Sequence, residues 1–321
     1  MDTTGTAEPK SLQEAILYFS HPENCLKYLV ARRPEWKNGV TCPRCGNDKV
    51  SFLKNQLRWQ CSSHHPRRQF SVKVGTIFED SPLGLDKWLP AVWMLQNCRN
   101  GISSYEVART LRVTQKTAWF MLHRIRLAQQ DKRGGKLSNN VEVDETFIGG
   151  KSRNMHKARR ARVISGTGGK DKAIVMGMLE RGGKVRTVVM DNRRKQAVQE
   201  QIRQHVEAGS AIFSDELKSY DGLSANYQHA VIDHAVQYVD GNVHTNAMEN
   251  FWSLLKRGLH GTYVSVEPFH LFRYLDEQAC RFNHRKMTDA ERFDIAVRQI
   301  VGKRLTYKEL TGKVEETAPL H

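Results

Sequence analysis

Three cysteines fall within twenty residues, and their order constrains the fold of that stretch more tightly than anything else in the chain. Cys42-Pro-Arg-Cys45 is followed by Gly46, and Cys61 comes after fifteen intervening residues with His64 and His65 close behind. Ligand pairs at this spacing hold a tetrahedral zinc ion between two β-hairpin knuckles, and the glycine after the second cysteine suits a tight turn. The neighbouring runs VSFL, LRWQC and RQFSV are short and β-like, separated by Cys, Gly, Asn and Pro. A unit of about forty residues lacks a core of its own, so the metal replaces one. Residues 39–80 are therefore expected to form a small zinc ribbon with Cys42, Cys45, Cys61 and a histidine as ligands. Both imidazoles can reach; His65, held by Pro66, is favoured, and His64 stays open as the fourth ligand.

Six cysteines in 321 residues, half of them in this cluster, do not resemble a secreted disulfide framework. The N-terminus MDTTGTAEPKSLQE lacks the basic-then-apolar order of a secretory signal, and no run of about 18 apolar residues appears. The expectation is a cytoplasmic protein of two or three domains with no membrane contact. Fifty Lys and Arg against 34 Asp and Glu leave a formal charge of +16. A field of that sign attracts polyanions, nucleic acid first among them.

Residues 11–34 read as two short packing helices broken at Ser20-His21-Pro22. Helical periodicity returns at Trp88. Ser103-Ser-Tyr-Glu106 has the form of a capping box, so a helix starts there and runs through Val107 and Leu111. After a turn at Arg112-Val113-Thr114, Thr114 can cap a second helix whose buried stripe is Ala118, Leu122 and Ile125. Gln115, Lys116, His123 and Arg124 are then expected to stay available, which is the layout of a helix-turn-helix with a polar reading face.

The charged, glycine-bearing stretch 131–139 reads as a linker. Beyond it VEVDETFIG, AIVMGMLE, KVRTVVM, AIFSDE and HAVID read as strands, with amphipathic helices over 194–206 and 245–260. Asp144 and Asp215 lie where strands meet polar segments. In the second helix Met248, Phe251, Trp252, Leu255 and Leu259 make one apolar stripe, while Glu249, Ser253, Lys256 and His260 share a neighbouring face. Three carboxylates brought together repel one another unless cations neutralise them, and oxygen-rich clusters suit magnesium or manganese. Two such ions about 3.5 to 4 Å apart serve phosphodiester displacement. Lys256 would sit where a DNA phosphate approaches. The tail from about 303 is polar and is expected to be loosely ordered.

These segments carry a resemblance. CPRCG, RQFSVKVGTIFEDSPLGLDKW, SSYEVARTLRVTQKTAWFMLHRIR, VEVDETFIGGK, SDELKSY and HTNAMENFWSLLKRG, over roughly residues 38–285, look like bacterial insertion-sequence transposases of the DDE superfamily with an N-terminal zinc ribbon and helix-turn-helix. The resemblance implies an α/β, ribonuclease-H-like catalytic domain over 140–285. Ahead of it would stand a helical segment (1–38), the ribbon (39–80), an all-α helix-turn-helix domain (81–130) and the linker, with a C-terminal segment (286–321) behind. It maps Asp144, Asp215 and Glu249 onto the catalytic acids holding two Mg2+ or Mn2+ ions, with Glu249 thirty-four residues after Asp215 and Lys256 seven further on. Some members of this branch carry asparagine as the third residue, so Asn246 stays as an alternative. The implied partner is double-stranded DNA, both terminal inverted repeats and target, bound by a homodimer or larger synaptic complex. Gln115, Lys116, Arg124, Lys151, Lys256 and Arg257 are the expected DNA contacts, and the run 151–172, with eight Lys or Arg and one Asp, supports them. The implied activity is strand cleavage and strand transfer. A nuclease that stops after hydrolysis and a DNA-binding regulator with an inactive catalytic domain are the alternatives.

Overall fold

The computed structural model describes residues 7–131, 134–150, 157, 172–215, 218–232 and 245–312. They fall into two compact units, 1–129 with 286–321, and 130–285. The first unit opens with α1 (Leu12–Phe19) and α2 (Pro22–Arg32). The break between them is local: Ser11 caps α1 by accepting from the Glu14 N–H, and Pro22 occupies the first turn of α2, where its missing N–H costs nothing. Strands β1 (Val50–Leu53), β2 (Arg58–Cys61) and β3 (Gln69–Phe70) follow as an antiparallel sheet in that order. Trp59 stacks on Phe70 with ring centroids 5.8 Å apart and packs against Trp36 at 5.3 Å, an aromatic cluster that supplements the metal ligands. Then come α3 (Leu85–Asn97), α4 (Ser104–Leu111) and α5 (Gln115–Gln129). Both halves of the Ser103/Glu106 capping box form, Arg112 takes a left-handed backbone at the turn, and the Thr114 hydroxyl accepts from the Thr117 N–H to open α5.

The second unit is a five-stranded sheet of β4 (Asn140–Ile148), β5 (Ala173–Glu180), β6 (Val185–Met190), β7 (Ala211–Asp215) and β8 (Gln228–Ile232), in the order β6-β5-β4-β7-β8. The first three strands are antiparallel meander neighbours, whereas β7 and β8 run parallel to β4. Helix α6 (Lys195–His205) makes the crossover from β6 to β7 and covers one face, where Val198 and Ile202 meet Val141, Val143, Met176, Met178 and Ile212. Helices α7 (Asn246–Arg257) and α8 (Leu271–Asn283) cover the other, over Val175, Leu179 and Val185. Alternation along β4 and β5 explains the two cores, since successive side chains point to opposite faces. All five residues of the expected stripe on α7 are buried. The helix does not run α-helical to 260; a π turn, Gly258–Thr262, takes over after Arg257. The expected linker also ends early: Leu137 is buried and pairs with Val206, tying 137 into the sheet unit.

The chain then returns to the first unit with α9 (Asp289–Arg298), whose Phe293 packs against Trp93, Phe19 and Tyr28. The expectation of a loosely ordered tail from 303 needs correcting as far as residue 312. Leu305 and Leu310 are buried, Thr306 and Glu309 form a capping box for α10 (Tyr307–Leu310), and Lys303 donates to the Ala128 carbonyl. Two well-spaced leucines anchor a stretch that looks polar in composition. Among the described residues no helix is long and apolar enough to cross a membrane.

Candidate functional site

In the ribbon, the Cys42 backbone N–H reaches the Asn47 carbonyl and the Gly46 N–H returns to the Cys42 carbonyl, closing a knuckle that needs the left-handed backbone of Gly46 (φ +75°). This turns Cys42 and Cys45 toward Cys61 and His65, and the four ligand atoms lie within 4.8 Å of one another. Cys42 Sγ stands 3.5 Å from His65 Nε2, and Cys45 Sγ 3.6 Å from Cys61 Sγ. Tetrahedral zinc, with bonds of about 2.3 Å to sulfur and 2.0 Å to nitrogen, asks for about 3.8 Å between two sulfurs and about 3.5 Å between sulfur and nitrogen. The donor set fits. His65 completes this four-donor cluster, and His64, which is exposed, is not part of it. The Nδ1 of His65 lies 2.8 Å from the Pro66 carbonyl, a contact that fixes the ring with Nε2 toward the thiols.

In the second unit, β4 and β7 pair in parallel through Glu142 and Phe213. Two residues further along the same face stand Asp144, in the middle of β4, and Asp215, the last residue of β7. Glu249 lies in the first turn of α7, which packs over that face. Asp144 Oδ2 accepts from the Trp252 indole N–H at 2.9 Å and Oδ1 from the Glu145 N–H at 2.8 Å, leaving lone pairs on both oxygens. Burial pushes the Asp144 carboxyl above the ordinary aspartate range; the Trp252 bond opposes this, and the charges of Asp215 and Glu249 add to it. Asp144 thus feels the charge of both other acids, a repulsion that a cation would relieve. Among the described residues they are not gathered into a closed ligand set as the thiols are.

Three contributors at this site were not read as such from the sequence. Trp252 was assigned only to the apolar stripe, although its N–H is the one polar atom of that stripe. Gly177 pairs with Asp144 across β4 and β5, and a Cβ there would lie 2.4 Å from Met248 Cε and 2.7 Å from Trp252 Cζ2, so the glycine lets α7 approach. Glu145 points to the opposite face, where the Tyr220 hydroxyl donates to it at 2.5 Å; burial pushes its carboxyl up to about 7, the Tyr220 bond opposes, and Asp215 and Asp144 add. The acidic doublet Asp144-Glu145 was the only signal for it.

The expected reading face is smaller than its pattern suggested. Lys116 is exposed, with its ammonium 4.9 Å from the Tyr307 ring, and Gln115 is half-buried and donates to the Ser104 hydroxyl at 2.8 Å. Arg124 must be withdrawn as a DNA contact. It is 4% exposed, and its guanidinium donates to the Leu305 and Glu79 carbonyls at 2.9 and 2.8 Å. His123 is buried as well. The reason is the returning C-terminal segment, which covers a flank of α5 that appears free when the helix is read alone. Lys256 and Arg257 are exposed on α7, as are Glu249 and the alternative Asn246. Lys151 and nearly all of the run 151–172 lie outside the described residues.

Comparison with known proteins matches residues 136–283 to the ISXO2-like transposase domain and residues 22–65 to the transposase zinc-ribbon domain. The first span falls inside the sheet unit, and the second takes in all four thiol and imidazole ligands. An uncharacterized protein in transposable element ISH50 of Halobacterium salinarum is 30% identical over 241 residues, 70% of this chain and 79% of that protein. An uncharacterized transposase-like protein of Haemophilus influenzae is 30% identical over 105 residues, 32% of this chain and 85% of that protein.

Proposed function

The chain belongs to the ISXO2-like insertion-sequence transposases with an N-terminal zinc ribbon, and from that premise we propose that it cleaves DNA at the ends of its element and joins them to target DNA through Asp144, Asp215 and Glu249. The observation that carries this reading is the placement of Asp144 and Asp215 on one face of adjacent parallel strands, beneath the helix that bears Glu249. The sheet order, three antiparallel strands followed by two parallel ones on the far side of β4, supports a ribonuclease-H-like core. Asp144, Asp215 and Glu249 would hold Mg2+ or Mn2+. Such ions, when bound, activate the attacking oxygen and stabilise the departing one. The residues themselves hold oxygen ligands in a half-buried site, Trp252 orients Asp144, and Lys256 meets phosphate. In the first displacement water attacks phosphorus, the P–O3′ bond breaks and the 3′-oxygen takes up a proton. In the second that 3′-hydroxyl attacks a target phosphorus and loses its proton as a target P–O3′ bond breaks.

Glu249 is preferred to Asn246 because a divalent ion gains more from an anionic oxygen than from an amide. Asn246, as the first residue of α7, suits a role at the helix start. We read α4 and α5 as the helix-turn-helix, presenting Gln115 and Lys116 to the terminal repeats, with Lys151, Arg257 and the basic run as further contacts and a dimer or larger synaptic complex as the working form. The deciding assay supplies paired element ends, target DNA and Mg2+ or Mn2+. Joined products support the transposase reading; cuts without joining make the protein a nuclease, and binding without cuts makes it a regulator.

A further inference from the structure

A fourth carboxylate lies on the face of β4 that carries Asp144, two residues before it, and the proposed chemistry does not use it. Glu142 is fully buried. Its Oε1 accepts from Arg181 Nε at 2.8 Å and its Oε2 from the Met248 backbone N–H at 2.9 Å. Both oxygens are therefore engaged by groups from other elements. Arg181 follows directly on β5, and its guanidinium lies 4.1 Å from the centre of the Phe213 ring on β7. Its own N–H bonds the Asn140 carbonyl at the start of β4.

These contacts fall beside each of the three acids. Glu142 is two residues from Asp144 on one strand face, Phe213 two residues from Asp215 on the same face, and Met248 is the immediate neighbour of Glu249. Thr245, the residue that precedes α7, makes no side-chain cap, so Glu142 from the sheet takes over that role at the positive end of the helix. Packing against Gly177 fixes how closely α7 approaches the sheet. A bond to its first turn fixes where the helix stops along its own axis.

We propose that Glu142 and Arg181 form a positioning pair that sets Asp144, Asp215 and Glu249 relative to one another for cation binding. This rests on the reading of those three as the catalytic acids. A buried ion pair is a poor device for stability alone, since an apolar pair of similar volume serves as well. Its value here is registry. Outer contacts of this type govern ligand placement, and their loss weakens metal affinity roughly ten- to a hundredfold.

The test uses the full-length protein, with Arg181→Met, Arg181→Lys and Glu142→Gln beside the control Asp144→Asn. Two quantities are measured: the Mn2+ concentration that half-saturates strand cleavage, and hydrogen exchange at the amides of α7. In Arg181→Met and Glu142→Gln the half-saturating Mn2+ concentration rises roughly ten- to a hundredfold. The Met248 amide exchanges faster while those of β5 keep their protection, and Arg181→Lys recovers part of both. Unchanged Mn2+ dependence and Met248 exchange in the folded Glu142→Gln protein overturn the proposal. That variant keeps the side-chain volume and one acceptor, so it carries the comparison should Arg181→Met fail to fold. If Asp144→Asn cleaves with the Mn2+ dependence of the unaltered protein, the catalytic assignment falls, and the positioning role with it. Faster Met248 exchange in Glu142→Gln would then remain as a helix-capping effect alone.

Discussion

At the scale of single residues, the proposed chemistry rests on the three acids and their immediate partners. Asp144→Asn, Asp215→Asn and Glu249→Gln each remove a negative charge with little change of shape. Each is expected to abolish strand cleavage while leaving binding to the element ends nearly intact, and Asn246→Ala to slow cleavage only. Gel assays of cleavage and binding on the same DNA check this; normal cleavage by Glu249→Gln with a dead Asn246→Ala would make the third ligand the asparagine. Trp252→Phe probes the indole bond to Asp144. Burial already holds that carboxyl above its usual range and the indole N–H opposes the rise, so removing the donor drives it higher still. Asp144 must be ionised to hold a cation, and cleavage therefore climbs as pH rises through its titration. The acid limb of the pH–rate profile is expected to move to higher pH in Trp252→Phe, and a profile that stays in place would separate the indole from the chemistry.

At the scale of elements, two close approaches decide whether the sites exist. Gly177→Ala places a methyl group against Met248 and Trp252, so α7 must lift or its side chains leave their rotamers. Overpacking of this type costs about 1–3 kcal/mol, and the unfolding free energy of the Gly177→Ala protein measures it. The ribbon depends on its ligands in a comparable way. About one zinc per chain is expected by metal analysis of the full-length protein, and a strong chelator or Cys45→Ser is expected to unfold β1–β3 while the sheet unit keeps its circular dichroism. Much of this was legible beforehand. Strand alternation in VEVDETFIG, the stripe on α7, the Ser103/Glu106 box and the spacing of Cys42, Cys45 and Cys61 are local patterns, and local patterns survive folding. What was not legible depends on partners distant in sequence. Arg124 looked free because the segment that buries it lies 181 residues away. Gly177 looked like any strand glycine until the helix above it was in place.

For the molecule as a whole, charge and chain path matter most. A protein with a formal charge of +16 that binds DNA through phosphates should lose affinity steeply with salt, by roughly 0.9 log unit per log unit of salt for each contact. Binding isotherms at several salt concentrations measure the slope. Replacing lysines in 151–172 is expected to lower it for every sequence, whereas Gln115→Ala weakens the preference among sequences instead. An affinity indifferent to salt would remove the phosphate contacts from the reading.

The first unit is discontinuous in the chain, with residues 130–285 interposed between its two parts. Phe293, whose ring meets Trp93, Phe19 and Tyr28, is added only after the whole of the interposed stretch. On the ribosome, which releases the chain from its N-terminus, the sheet unit is therefore finished before the unit that holds the zinc ribbon and α5 can close its core. A polypeptide interrupted before Phe293 leaves those aromatic faces uncovered, the kind of exposed surface that chaperones and proteases act on.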